Sequence, residues 1–305
     1  FQFINNLPGK KLLLKGNHDL WWTTLKRMRE FLKEKDIPVI GMIYTVNDVD
    51  YCGDTGREMN FKEFYNAMRE GANVKTSLIN TDRCERFLEN LLKTGKDVLH
   101  LSFASATSGT CDNFKKAAEI LNEKYENKVM VVDTLCQAGG QGLLVTLVNQ
   151  YAEEGHSLQE CYEYAESLKH RIAHYFVVDD LKYLMRGGRI SKTSAILGTI
   201  LKIKPVLYTD KNGVLTLKEK VMSRRKSLMR LCDKMAERYN RESDVVYISH
   251  GDCIEDAQFV ADAVKSRLGA ECRMLELSPI IGTHSGPGTV ALFFTQENRI
   301  DGDKD

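Results

Sequence analysis

Short apolar runs rich in β-branched residues alternate along this chain with longer stretches whose apolar positions recur at helical spacing. The runs KKLLLK (10–15), PVIGMIY (38–44), DVLHLSF (97–103) and KVMVVDT (128–134) predict strands. Residues 60–70, 81–93, 112–125 and 140–154 predict the helices between them. Such alternation argues for βαβ units and a largely parallel sheet. Beyond a polar helix expected over 157–174, the pattern changes. KPVLYTDKNGVLTLKEK reads as two strands joined by an Asn-Gly turn. A charged helix (224–240), a strand DVVYISH (244–250) and a helix (254–268) follow. ELSPIIGTHSGPGTVALFF (276–294) reads as strand, glycine-rich turn and strand. The expected fold class is α/β, with two α/β domains: 37–169 built on a largely parallel sheet and 170–305 on a mixed one.

Composition narrows the class. The chain has 305 residues, 43% hydrophobic and 28% charged, which suits a globular protein with ordinary cores. A formal net charge of only +1 gives no electrostatic case for nucleic acid. No apolar run reaches the ~18 residues of a membrane span, and FQFINNLPGKK lacks the apolar core of a secretion signal. The eight cysteines form no Cys-x-x-Cys pair and read as free thiols of a reducing cytoplasm.

Polar loops at strand ends carry the candidate chemistry, because ligands of open α/β sheets sit at the carboxyl ends of strands. LHLSFASATSGTCDNF offers Ser105, Thr107, Ser108 and Thr110 around Gly109, either as an ordinary helix cap or as a seat for an anionic oxygen. NVKTSLINTD places Thr76 and Ser77 before a helix, and capping alone accounts for them. DTLCQAGGQGLLV is explained equally by close helix packing and by ligand contact. In LKYLMRGGRISKTSAILGTILKIKPVLY, Arg186 and Arg189 flank two glycines, and Ile196, Leu197, Ile200, Leu201 and Ile203 follow. That stretch reads as a core helix or as the wall of an apolar pocket with a basic mouth. His284 stands among Gly282, Thr283, Ser285, Gly286 and Gly288, small neighbours that let backbone N–H groups approach a ligand while the imidazole donates to a carboxylate. Acids and cysteines at metal-ligand spacing are lacking around it, so no metal is expected.

Taken together, KTS, ASATSGTC, VVDTLCQAGGQGLLV, LMRGGRISK, ILKIKPVL and IGTHSGPG resemble, in order, the motifs of the DegV family of fatty-acid-binding proteins, over about residues 37–298. The resemblance implies two α/β domains with a fatty acid in the cleft and tunnel between them. It places the carboxylate on Thr76, Ser77, Ser108, Gly109, Thr110 and His284. SRRK (223–226) falls where the family carries a basic segment, with Arg224 and Arg225 both open as its counterpart, and Arg186 and Arg189 of the basic mouth are the other candidate basic contacts. The acyl tunnel falls to Ile196, Leu197, Ile200, Leu201 and Ile203. It further implies a non-catalytic, cytoplasmic subunit with no cofactor and only transient membrane contact, which presents its fatty acid to a separate fatty acid kinase. Leu78-Ile79 stand where the family usually has a proline, and Cys111 replaces a common aromatic.

The start departs further. The family's opening strand ends in Asp-Ser, whereas residues 1–36 resemble a fragment of calcineurin-like metallophosphoesterases, in which GNHD supplies a metal-ligating Asn and a catalytic His, here Asn17 and His18. A two-metal hydrolase site needs several converging carboxylates and histidines, and the partner motifs are missing. A natural fusion and a misjoined reading frame both account for such a start, and KKLLLK can still replace the family's first strand. The competing activities are a Ser/His acyl hydrolase using Ser108 or Ser77 with His284, and a vestigial phosphoesterase. No catalytic residue is assigned.

Overall fold

The computed structural model describes residues 11–16, 37–52, 58–190 and 203–299. The strands are β1 (Lys11–Gly16), β2 (Val39–Ile40), β3 (Ile43–Val46), β4 (Val49–Cys52), β5 (Val74–Ser77), β6 (Asp97–Ser102), β7 (Val129–Asp133), β8 (Ile172–Val177), β9 (Lys204–Thr209), β10 (Leu215–Val221), β11 (Val245–His250), β12 (Glu271–Glu276) and β13 (Val290–Thr295). The helices are α1 (Phe61–Arg69), α2 (Thr81–Leu92), α3 (Thr110–Lys124), α4 (Ala138–Glu153), α5 (Leu158–Leu168), α6 (Lys182–Arg186), α7 (Arg224–Arg238), α8 (Ile254–Leu268) and α9 (Pro279–Ser285).

Three sheets result. A parallel sheet has the order β2-β1-β6-β7, a small antiparallel sheet β4-β3-β5, and a six-stranded sheet β10-β9-β8-β13-β11-β12. In the last, only β11 and β12 run parallel. The architecture is therefore α/β with one parallel and one mixed sheet, as the sequence pattern implied. β1 pairs with β6 over its whole length and with β2 at its end, so KLLLKG (11–16) takes an interior place in the parallel sheet. Asn17 and His18 lie outside the described residues.

Three sequence expectations change. Residues 157–174 are not one helix: α5, opened by a Ser157–Glu160 capping box, ends at Leu168, and β8 begins at Ile172. Every residue of β8 is buried, since it lies mid-sheet and is covered on both faces, so its run lacks the alternation that marks a half-exposed strand. PVIGMIY splits into β2 and β3, which enter different sheets. The stretch after β12 folds as the short helix α9 rather than as a turn.

Side-chain parity divides the six-stranded sheet. Tyr175, Val177, Val206, Tyr208, Leu292 and Phe294 pack outward against α7 and α8. Phe176, Leu207, Ala291 and Phe293 point the other way, into a core shared with the parallel sheet and α4. The glycine-rich start of α4 is explained by close packing: a Cβ on Gly140 would lie 2.1 Å from His174 Nε2, and one on Gly139 2.8 Å from Phe293. Behind His174 the buried Arg299 donates to the carbonyls of Ile172 and Leu135 and to Cys136 Sγ. A buried guanidinium is tolerated because these acceptors replace its water. Gly140→Ala is expected to overpack this junction and lower unfolding stability by ~1–3 kcal/mol, measured by urea denaturation; an unchanged midpoint would show that the junction yields.

Candidate functional site

The two inward faces do not close completely. Between them lies a cavity that opens to solvent, with about 750 Å³ of empty space when its open mouth is included. Its walls are largely apolar: Met42, Phe103, Phe176, Leu184, Leu215, Leu277, Ile280, Ile281, Ala291 and Phe293. One end is polar, bounded by Thr76, Thr107, Ser108, Arg189, His284, Ser285 and Thr289. From Thr289 to Phe293, β13 carries the wall about 13 Å at ~3.3 Å per residue. There the Phe293 ring meets the His174 ring edge to face at 5.2 Å. Thr209 and Gln137 stand beside them, but Thr209 Oγ1 donates to Gln137 Oε1, and Gln137 Nε2 donates to the Gly213 carbonyl. These polar groups are already satisfied within the protein.

At the polar end, His284 Nε2 and Thr76 Oγ1 are 2.8 Å apart. Nδ1 is buried without a hydrogen-bond partner among the described residues, and faces Gly187, where a Cβ would lie 2.3 Å from it. An orphaned buried N–H is rarer than an under-used acceptor, so the proton is assigned to Nε2, which donates to Thr76. The Thr76 hydroxyl hydrogen is then free for an acceptor in the cavity. Burial, reinforced by Arg189 and Arg186, depresses the His284 pKa to about 3, so the ring is neutral at ordinary pH.

The other sequence-chosen residues divide. Ser108 is buried, lines the cavity and donates to Thr110 Oγ1 at 3.0 Å. Thr110 is itself outside the lining and accepts from the Ile79 amide, tying the two hydroxyl loops together. Ser77 and Gly109 are exposed and do not line the cavity. Arg189 lines it and holds two loops, donating from Nε to the Thr107 carbonyl and from Nη1 to that of Gly187. Arg186 lies over the Tyr183 ring, away from the lining. Arg224 grips Asp256 and the Gly288 carbonyl, and Arg225 covers Phe259; neither lines the cavity. Ile203 is half-buried outside the lining, while Ile196, Leu197, Ile200 and Leu201 lie outside the described residues.

The glycines around His284 serve side chains. Gly282 admits Tyr65, Gly288 admits Asp179, and Gly286, at φ 81°, receives Tyr183, whose Cδ2 would sit 2.2 Å from an added Cβ. Tyr65 in turn donates to the Leu277 carbonyl at 2.9 Å, joining α1 to the strand-to-helix turn before α9. The Ser/His pairing of a hydrolase is not formed: the imidazole meets Thr76, and the Ser108 hydroxyl points to Thr110. Sequence reading missed the apolar walls contributed by β8 and β13; the parity of β13, which was read as a strand, was the available signal for its share.

The chain is similar to known proteins in sequence and fold. The family described as "Uncharacterised protein, DegV family" matches residues 23–297. A DegV domain-containing protein of Clostridium perfringens is 36% identical over 274 residues, spanning 89% of this chain and 94% of that protein. The solved structure of a fatty acid binding DegV family protein from Streptococcus agalactiae aligns with a TM-score of 0.82 at 26% identity, covering 95% of this chain and 100% of that one. A DegV family protein from Thermus thermophilus, described by its fatty acid binding, gives 0.82 at 24% identity over 94% of this chain and 99% of its own, which shows the common fold.

The buried histidines set a pH dependence. An unfolded histidine titrates near 6.5 and folded His284 near 3, so between these values the unfolded chain takes up a proton that the folded chain refuses. The stability is complete above about 6.5 and is lost as pH falls towards 3. His100 and His250, depressed by burial to about 3 and about 4, act in the same direction. Denaturation midpoints should therefore drop between about pH 7 and about pH 4.5, and His284→Asn should flatten part of that slope. A variant with the parent's slope would remove His284 from the account.

Proposed function

The chain belongs to the DegV family, and from that premise we propose that its cavity holds one long-chain fatty acid. The observation that carries the proposal is the cavity itself, apolar along its length with the free Thr76 hydroxyl at its polar end. Each buried methylene contributes ~0.8 kcal/mol, so ~14 of them set an upper limit near ~11 kcal/mol. Costs of association reduce this, and an affinity below micromolar remains. The carboxylate sits at the polar end, taking a hydrogen bond from the Thr76 hydroxyl, whose hydrogen is free, with Arg189 supplying positive charge nearby. His284 acts through Thr76, fixing which way that hydroxyl points. Residues 37–169 and 170–305 act as the two lobes that enclose the chain.

In this reading the protein is a carrier that presents the carboxylate to a separate fatty acid kinase in the cytoplasm. The chemistry of the polar end supports such a role. There the phosphoryl acceptor is held by neutral hydroxyls rather than locked in an ion pair, so its oxygens remain available to the kinase. The eight free thiols fit a reducing compartment. Among the described residues no helix is long and apolar enough to cross a membrane, so loading from a bilayer requires only transient contact.

Mass spectrometry of an organic extract of the purified protein is expected to show co-purified fatty acid in near one-to-one amount. The delipidated protein should rebind hexadecanoic acid, and Thr76→Val should weaken that binding about tenfold. An extract empty of fatty acid, together with no rebinding, would sink the reading. For the partnership, the loaded protein, ATP and a cell extract should yield acyl phosphate, trapped as a hydroxamate; none formed from a binding-competent protein would remove the kinase step.

A further inference from the structure

Three hydroxyl residues lie close together in and just after α9, and they are treated differently. Thr283 Oγ1 donates to the Pro279 carbonyl four residues back, at 2.7 Å. Thr289 Oγ1 bonds the carbonyls of Ser285 and Gly286, each at 2.9 Å. Such back-bonding is the ordinary fate of a hydroxyl in or beside a helix. Ser285 does not share it. The residue is 5% exposed and lines the cavity, and its Oγ has no hydrogen-bond partner among the described residues. Buried polar groups are nearly always satisfied, so a hydroxyl withheld from its own helix and set in this apolar cavity is one whose partner arrives with the ligand.

We propose that Ser285 Oγ is a head-group contact that binds the second oxygen of the carboxylate, opposite the oxygen held by Thr76. The inference rests on the fatty-acid reading and deepens it. The two functions of α9 are divided between neighbours: His284 turns towards Thr76 and Gly187, about 100° around the helix from Ser285, which meets the ligand. A site with donors for both oxygens selects a free carboxylic acid over a primary alcohol of the same length, because the alcohol lacks the second oxygen and leaves Ser285 unpaired.

The test uses the full chain, delipidated, as wild type and Ser285→Ala, with hexadecanoic acid and hexadecan-1-ol as probes. Removing an unpartnered buried hydroxyl should leave the melting temperature of the empty protein unchanged or raise it. The same change should weaken hexadecanoic acid about five- to tenfold, the loss of one hydrogen bond, and leave hexadecan-1-ol unaltered. Equal affinity of both forms for the acid overturns the proposal while leaving the fatty-acid reading intact. An equal loss for acid and alcohol, or a lower melting temperature of the empty variant, assigns Ser285 to packing and overturns it as well. Failure of the wild type to bind hexadecanoic acid overturns both readings together.

Discussion

The hydrogen bond between His284 and Thr76 is the contact on which the site is organised. It joins residues 208 positions apart, one on the small antiparallel sheet and one on a short helix of the second half. Away from bulk water such a bond is stronger than at the surface, and its geometry is correspondingly fixed. Several sequence features exist to permit it. Gly187 leaves room for the imidazole, and Gly286 lets Tyr183 brace the far side of α9. Arg189 draws the loop carrying Thr107 and Ser108 towards the same helix.

The cavity is a consequence of strand parity. One face of the six-stranded sheet is sealed by α7 and α8 and forms an ordinary core. The other face meets α4 and the parallel sheet, where Ala291 is small and Gly139 and Gly140 allow close approach only at the far end. Close packing there and at α9 leaves the space between them unfilled. Around the far end Arg299, His174 and Gln137 satisfy one another or nearby carbonyls, so the floor presents little free polarity to a ligand. Among the described residues that line the cavity, the buried side-chain atoms without a partner, His284 Nδ1 and Ser285 Oγ, lie at the His284 end.

Much of this was legible in the chain. The helices over 81–93 and 254–268 and the hairpin at Asn212-Gly213 follow from local periodicity and turn chemistry, which act over a few residues. β8 was not legible as a strand, because burial on both faces erases alternation. Nor was α9, whose glycines read as a turn but are there to admit Tyr65 and Tyr183.

The sequence alone determined the α/β class, the family likeness, and the presence near strand ends of the hydroxyls, the histidine and the arginines. Those properties reside in residue types and in spacings within one element. Only the tertiary structure decided which of them share a cavity: Thr76, Ser108, Arg189 and His284 line it, while Ser77, Gly109 and Arg225 stay outside it and Arg224 is engaged elsewhere. It also brought forward Ser285, whose distinction is the lack of a partner. Partnership is a property of three-dimensional neighbours, and a hydroxyl that bonds its own helix is indistinguishable in sequence from one that waits for a ligand.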